Sequence, residues 1–239
     1  LDTGGNVPDP EKTLPARLRR AGYATAVIGK THMIPYYCPL GFDHSELMEM
    51  DPNDDYSRYL KRHGFDIADQ RPNLGPKGVR VYESPVPLEH YPTTWVTDRT
   101  VDYLKARAEQ PAPFFLWRSY LRPHNPYNPP APYHGSVNPK ALPSPVAPPE
   151  SPLPCYRDQV ATMGYDTLRP DETMASRARY AECVRLIDDS VGRIIDTLKQ
   201  TGQWENTIVF FTSDHGDSQG DLGLWHKATA LETAAGGPP

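Results

Sequence analysis

Between Asp171 and Gly202 apolar residues recur every three or four positions, placing Tyr180, Cys183, Ile187, Val191, Ile194 and Leu198 on one face. That period predicts an amphipathic helix, and Gly202 supplies the residue that most readily adopts the left-handed conformation closing one. The chain then changes to the run TIVFFTSD (207–214), which reads as a buried strand. The same order occurs twice earlier. DPEKTLPARLRRAGY (9–23) predicts a short helix ending at Gly22, before the small apolar strand ATAVIG (24–29). TTWVTDRTVDYLKARAE (93–109) sets Trp95, Val101, Leu104 and Ala108 near one face, before the strand PFFLWRSY (113–120). Three helix-to-strand units predict an α/β fold, a mostly parallel sheet with helices on both faces.

Composition changes this picture in one place. Of the 28 prolines in 239 residues, fourteen lie between Pro111 and Pro154. The stretch around 123–154 therefore reads as a long extended surface loop within a single α/β domain. Its alternative role is a docking site for a module with an aromatic groove. A net charge of −5 and a pI near 5.9 give no general attraction to nucleic acid or anionic membranes. No run approaches the roughly 18 apolar residues of a membrane span, and a mean hydropathy of −0.63 predicts a water-soluble chain. Cys38, Cys155 and Cys183 have neither disulfide-framework nor zinc-finger spacing.

Ligands of open α/β sheets bind beyond the carboxyl ends of the strands, and here three strands end in reactive residues. ATAVIG runs into Lys30 and His32, PFFLWRSY into Arg122, His124 and Asn125, and TIVFFTS into Asp214, His215 and Asp217, with His226 and Lys227 close behind. Each has an ordinary reading alone: a solvated lysine, a packed histidine, an aspartate forming a turn. Asp217 and Asp221 lack EF-hand spacing, and His44, His63, His90 and His134 read as surface residues. Together, lysines and histidines gathered beside a metal-binding carboxylate predict a pocket for sulfate or phosphate at one edge of the sheet.

The segments GYATAVIGKTH, RPHNPY, YAECVRLIDDSVGRIIDTLKQTGQWENTIVFFTSDHGD and LGLWHK resemble, in order and style, the sulfatase family within the alkaline phosphatase superfamily. The resemblance covers nearly the whole chain, and its last two segments are the most specific. Thr31 stands where the family more usually has Trp. The resemblance implies that Lys30 and His32 contact the sulfate and the activated nucleophile. It places His124 near the leaving-group oxygen, makes Asp214 and His215 metal ligands, and gives Lys227 to a sulfate oxygen and the bridging oxygen. The implied metal is calcium, with manganese or zinc also suited to His215, a position where many sulfatases have Asn. The implied substrate is a small-molecule or saccharide sulfate ester. His215 with LRPHNPY also resembles the phosphonate monoester hydrolases of the superfamily, which makes a phosphonate or phosphate ester the alternative substrate.

Two parts of the family pattern are missing. Sulfatases carry a Cys or Ser in Cys/Ser-x-Pro-x-Arg, oxidised to the formylglycine nucleophile, and an Asp pair near the N-terminus completes the metal site. None of the three cysteines has that context. Thr13-Leu14-Pro15-Ala16-Arg17 matches only in spacing, and Thr13 reads as a helix cap with Pro15 in the first turn. The closing ATALETAAGGPP (228–239) does not resemble the family's continuation. The expectation is therefore a partial catalytic domain over 1–239, an internal fragment with formylglycine upstream, inactive on its own. A non-catalytic relic binding oxyanions or proteins is the reading of a different class.

Overall fold

Thr13 shows how locally the first element is specified. Its hydroxyl oxygen accepts the N–H of Ala16 (3.3 Å) at the start of α1 (Leu14–Arg20), with Pro15 in the first turn. The cap reading of Thr13 holds, and the same hydroxyl lies 2.6 Å from the carbonyl of Leu40. The computed structural model of the chain describes residues 9–33, 37–38, 40–70, 81–151, 154–163, 165 and 168–227; the 228–239 segment noted above lies outside them.

The sheet has three parallel strands in the order β2-β1-β3: β1 (Ala24–Gly29), β2 (His44–Leu47) and β3 (Phe114–Ser119). Every residue of β1 from Thr25 to Gly29 is buried. Successive side chains of a strand point to opposite faces, so the central strand is covered on both. Where β1 ends, Gly29 has φ 109° and approaches β3 so closely that a Cβ would lie 1.9 Å from the Ser119 carbonyl oxygen. Only glycine fits there, and the next residue, Lys30, donates its N–H to that same oxygen (3.2 Å).

Chain packing divides the protein into two compact units. The first comprises Leu1–Asp69, Val86–Arg122 and Ile187–Thr207 and contains the sheet. It also holds α2 (Asp55–Arg62) and α3 (Pro92–Ala108). Its core joins Ile28 of β1 to Met48, Tyr56, Leu60, Trp95 and Val96, with Leu116 of β3 packed against it. Helix α3 buries Trp95 and Leu104 as its period requires, and also Thr93, Thr97 and Thr100. The hydroxyls of Thr97 and Thr100 donate to the carbonyls four residues back, at 2.7 and 2.8 Å, which lets polar side chains sit in the interior.

The second unit comprises Gln70–Pro85, Pro123–Leu186 and Ile208–Pro239. It contains the proline-rich stretch, where Pro123–Ser151 forms no α-helix or strand, and α4 (Pro154–Met163). Tyr127, Tyr165 and Trp225 form its buried cluster, against which Val160, Leu168 and Tyr180 pack. Helix α5 (Pro170–Gln200) gives its first part to this unit and its last part to the other.

The expected strand at 207–214 does not form. Thr207–Ser213 have no strand assignment, and Ile208, Val209, Phe210 and Phe211 are 82, 54, 88 and 66% exposed. The apolar run expresses a demand for strand neighbours, and no described strand pairs with it. Three elements were not anticipated: β2, α2 and α4.

Candidate oxyanion and metal site

In the second unit the loop after the unpaired segment folds back on itself. Ser218 donates both N–H and hydroxyl to the His226 carbonyl (3.1 Å each), and Gly220 N–H donates to Leu224 (2.8 Å). Asp217 closes the ring: Oδ1 accepts the N–H groups of Gln219 and His226, both at 3.1 Å, while Oδ2 accepts the Tyr127 hydroxyl at 2.8 Å. Burial alone would raise the Asp217 carboxyl, but His226, the Tyr127 hydroxyl and the Gln219 N–H overcome it and bring the group down to about 2. His226 Nδ1 is buried and lies 3.9 Å from Oδ2.

That closure brings together residues twelve apart. Lys227 Nζ lies 3.0 Å from His215 Nε2, and the other ring nitrogen of His215 lies 2.7 Å from the Gly216 carbonyl. The two contacts assign the tautomer: Nδ1–H donates to the carbonyl, and Nε2 presents its lone pair to the lysine. Asp214 Oδ2 is 3.6 Å from the same Nε2, and Oδ1 accepts the His215 N–H at 3.1 Å. The ring of His124 stands edge-on to that of His215 with centroids 6.0 Å apart, its Nδ1 2.9 Å from the Asn125 carbonyl. His124, Asp214, His215 and Lys227, from two stretches about ninety residues apart in the chain, are thus gathered in one place.

Lys30 and His32 belong to the first unit and follow β1 directly. His32 has φ 57°, a left-handed conformation uncommon for any residue with a Cβ. The Glu49 carboxylate, on a residue 8% exposed, accepts the N–H and hydroxyl of Thr31 and the N–H of His32. Arg122, also in this unit, is buried with its guanidinium over the Tyr91 ring (5.7 Å). Sequence reasoning missed Glu49 and Tyr127; it named Asp217 among the polar residues after the third apolar run, without the loop-closing role its contacts show.

A carboxylate oxygen and an imidazole nitrogen 3.6 Å apart are spaced as two donors of one coordination sphere, but Nε2 here faces Lys227 Nζ at 3.0 Å, so a metal between Asp214 and His215 would have to displace the lysine. Among the described residues no third His, Cys, Asp or Glu is placed to complete that sphere.

Comparison with known proteins supplies the family context. Residues 2–237 match the family model described as Sulfatase. The multifunctional alkaline phosphatase superfamily protein PehA of Trinickia caryophylli is 30% identical over 252 residues, covering 88% of this chain and 48% of that protein. An arylsulfatase of Clostridium perfringens is 29% identical over 250 residues, covering 94% of this chain and 50% of its own. Among solved structures, the phosphonate monoester hydrolase SpPMH from Silicibacter pomeroyi superposes with a TM-score of 0.72 at 26% identity, covering 92% of this chain and 50% of that one. The chain spans about half the length of these proteins.

Proposed function

The chain belongs to the sulfatase family, and from that premise we propose that it carries the oxyanion-binding and metal-ligating half of a sulfuric ester hydrolase. The observation that carries this reading is the contact of Lys227 with His215, beside Asp214 and His124. Three groups able to hold or donate protons and one carboxylate match a tetrahedral oxyanion next to a cation, and have no comparable use for a neutral ligand.

Hydrolysis of a sulfate ester breaks the sulfur–oxygen bond and leaves negative charge on the departing alkoxide. Lys227 binds a sulfuryl oxygen and the bridging oxygen as that charge grows. His124, whose Nδ1 donates to the Asn125 carbonyl, carries the transferable proton on Nε2 and delivers it to the leaving oxygen. Lys30 and His32, at the carboxyl end of β1, are assigned to the sulfate and the nucleophile. Asp214 and His215 would hold the divalent metal, calcium in the first instance with manganese or zinc as alternatives, His215 exchanging its contact with Lys227 for it, and the metal would supply charge stabilisation. The nucleophile is a formylglycine outside the 239 residues, and substrates are small-molecule or saccharide sulfate esters. The whole of 1–239 is assigned to one partial catalytic domain.

A second reading, a phosphonate or phosphate monoester hydrolase, is favoured by the imidazole at position 215 and by the likeness to the Silicibacter pomeroyi enzyme. The test uses the full-length protein that contains this chain, assayed on an aryl sulfate, a sugar sulfate and a phosphonate monoester, with Lys227→Ala and His124→Ala alongside. Preference for a sulfate, with both variants reduced at least a hundredfold in kcat/KM, supports the first reading. Preference for the phosphonate replaces it with the second, and unchanged variants refute both site assignments.

A further inference from the structure

The Lys30–His32 turn is held from one side by a single buried acid. Glu49 Oε1 accepts the Thr31 N–H at 2.5 Å and the Thr31 hydroxyl at 2.6 Å, and Oε2 accepts the His32 N–H at 3.0 Å. Glu49 is itself fixed. Its N–H donates to Asp54 Oδ2 at 2.7 Å, and Asp54, fully buried, caps α2 by accepting the Ser57 N–H at 2.6 Å and also takes the Asp51 N–H at 3.2 Å. The turn's other anchor is the Lys30 N–H on Ser119, at the end of the β1–β3 ladder. Between these anchors His32 adopts its left-handed φ, a conformation that persists in a residue with a Cβ only where the surroundings over-determine it.

We propose that Glu49 is the positioning residue of this turn: its carboxylate, seated on the Asp54 cap, locks Thr31 and His32 and thereby aims the side chains of Lys30 and His32 at an oxyanion. Glu49 touches no substrate. It acts by removing the alternative backbone conformations that would turn either side chain away, so that binding an anion need not order the turn. Thr31 is a working part of the device, because its hydroxyl reaches the same oxygen as its N–H. The inference rests on the assignment of Lys30 and His32 to oxyanion binding.

The experiment titrates the chain with inorganic sulfate, following heat and the His32 ring proton resonances, with far-UV circular dichroism as the check on folding. Lys30→Ala and Glu49→Ala are each expected to weaken sulfate binding tenfold or more, equivalent to about 1.4 kcal/mol. Glu49→Gln, which keeps one carbonyl oxygen for Thr31, recovers part of the loss. Thr31→Val, which removes only the hydroxyl, weakens binding several-fold and reduces the sulfate-induced shift of His32. The proposal is overturned if Thr31→Val and Glu49→Gln, both folded, bind sulfate as the unaltered chain does while Lys30→Ala does not. Should Glu49→Ala fail to fold, these two variants decide the matter. If Lys30→Ala and His32→Ala both leave binding unchanged, the assignment of those residues fails first and the inference falls with it, a pattern distinct from the previous one.

Discussion

Replacing Tyr127 by Phe isolates one hydroxyl in the second unit, and its cost can be worked out. Tyr127 is fully buried, and its ring packs against Tyr180 and Trp225 with centroids 5.7 and 6.3 Å away, contacts that Phe retains. The hydroxyl donates to Asp217 Oδ2 at 2.8 Å and accepts from Gln219 Nε2 at 2.9 Å. Losing a hydrogen bond to a charged acceptor costs about 1.5–3 kcal/mol, and the stranded amide of Gln219, 9% exposed, adds to it. Some is returned, since a buried polar oxygen has been removed as well. A net loss of about 2–3 kcal/mol is expected, set against a typical domain stability of roughly 5–15 kcal/mol. Urea unfolding followed by tryptophan fluorescence reads it, with Trp225, 2% exposed in the same cluster, contributing beside the chain's three other tryptophans. A double-mutant cycle with Asp217→Asn separates the pair from the two losses, with a coupling of at least about 1 kcal/mol expected. A single variant within about 0.5 kcal/mol of the unaltered chain, or a coupling near zero, would refute the view that this hydroxyl ties down the loop carrying Lys227.

The remaining expectations are shorter. Gly29→Ala should destabilise the first unit by at least about 2 kcal/mol, since its Cβ would meet the Ser119 carbonyl at 1.9 Å in a left-handed backbone; an unchanged urea midpoint would contradict it. The exposed run at 208–211 should drive association, because burying one such side chain is worth about 1.5–3 kcal/mol; Ile208→Ser with Phe210→Ser should shift sedimentation toward monomer, and a monomeric unaltered chain that binds no hydrophobic dye would argue against it. His44, whose Nε2 lies 2.9 Å from Glu46 Oε1, is raised above the usual histidine range chiefly by that hydrogen bond. The folded-state value lies above the unfolded one, so the pair's stabilisation is complete below the unfolded value and disappears as pH rises through the folded one. Solvent around this half-exposed pair keeps the effect small, and NMR titration of Glu46→Gln should bring His44 back down.

What the sequence disclosed, and what it withheld, follows from how far apart the cooperating residues are. Helices α1, α3 and α5 are legible because their start, period and stop lie within one stretch, down to Thr13 as a cap and Gly202 as a stop. Strand β2 has the pattern exposed, exposed, half-buried, buried along HSEL, which carries no apolar period to read. Helix α2 carries local signals, its Asp54 cap and the Tyr56–Leu60 pair, but within only eight residues and with no apolar strand run after it to mark a helix-to-strand unit. The run 207–214 misled because an apolar pattern states what a segment requires and cannot state whether a neighbour meets the need. The candidate residues divide along the same line. Lys30 and His32 in one unit, and His124, Asp214, His215 and Lys227 in the other, stand out by residue type near the ends of apolar runs. Glu49 and Tyr127 act on partners 18 and 90 positions away, through a carboxylate and a hydroxyl that any surface could carry. A residue that binds a ligand can be recognised by its own side chain, whereas one that positions another is defined by the contact, and only the folded chain brings the two together.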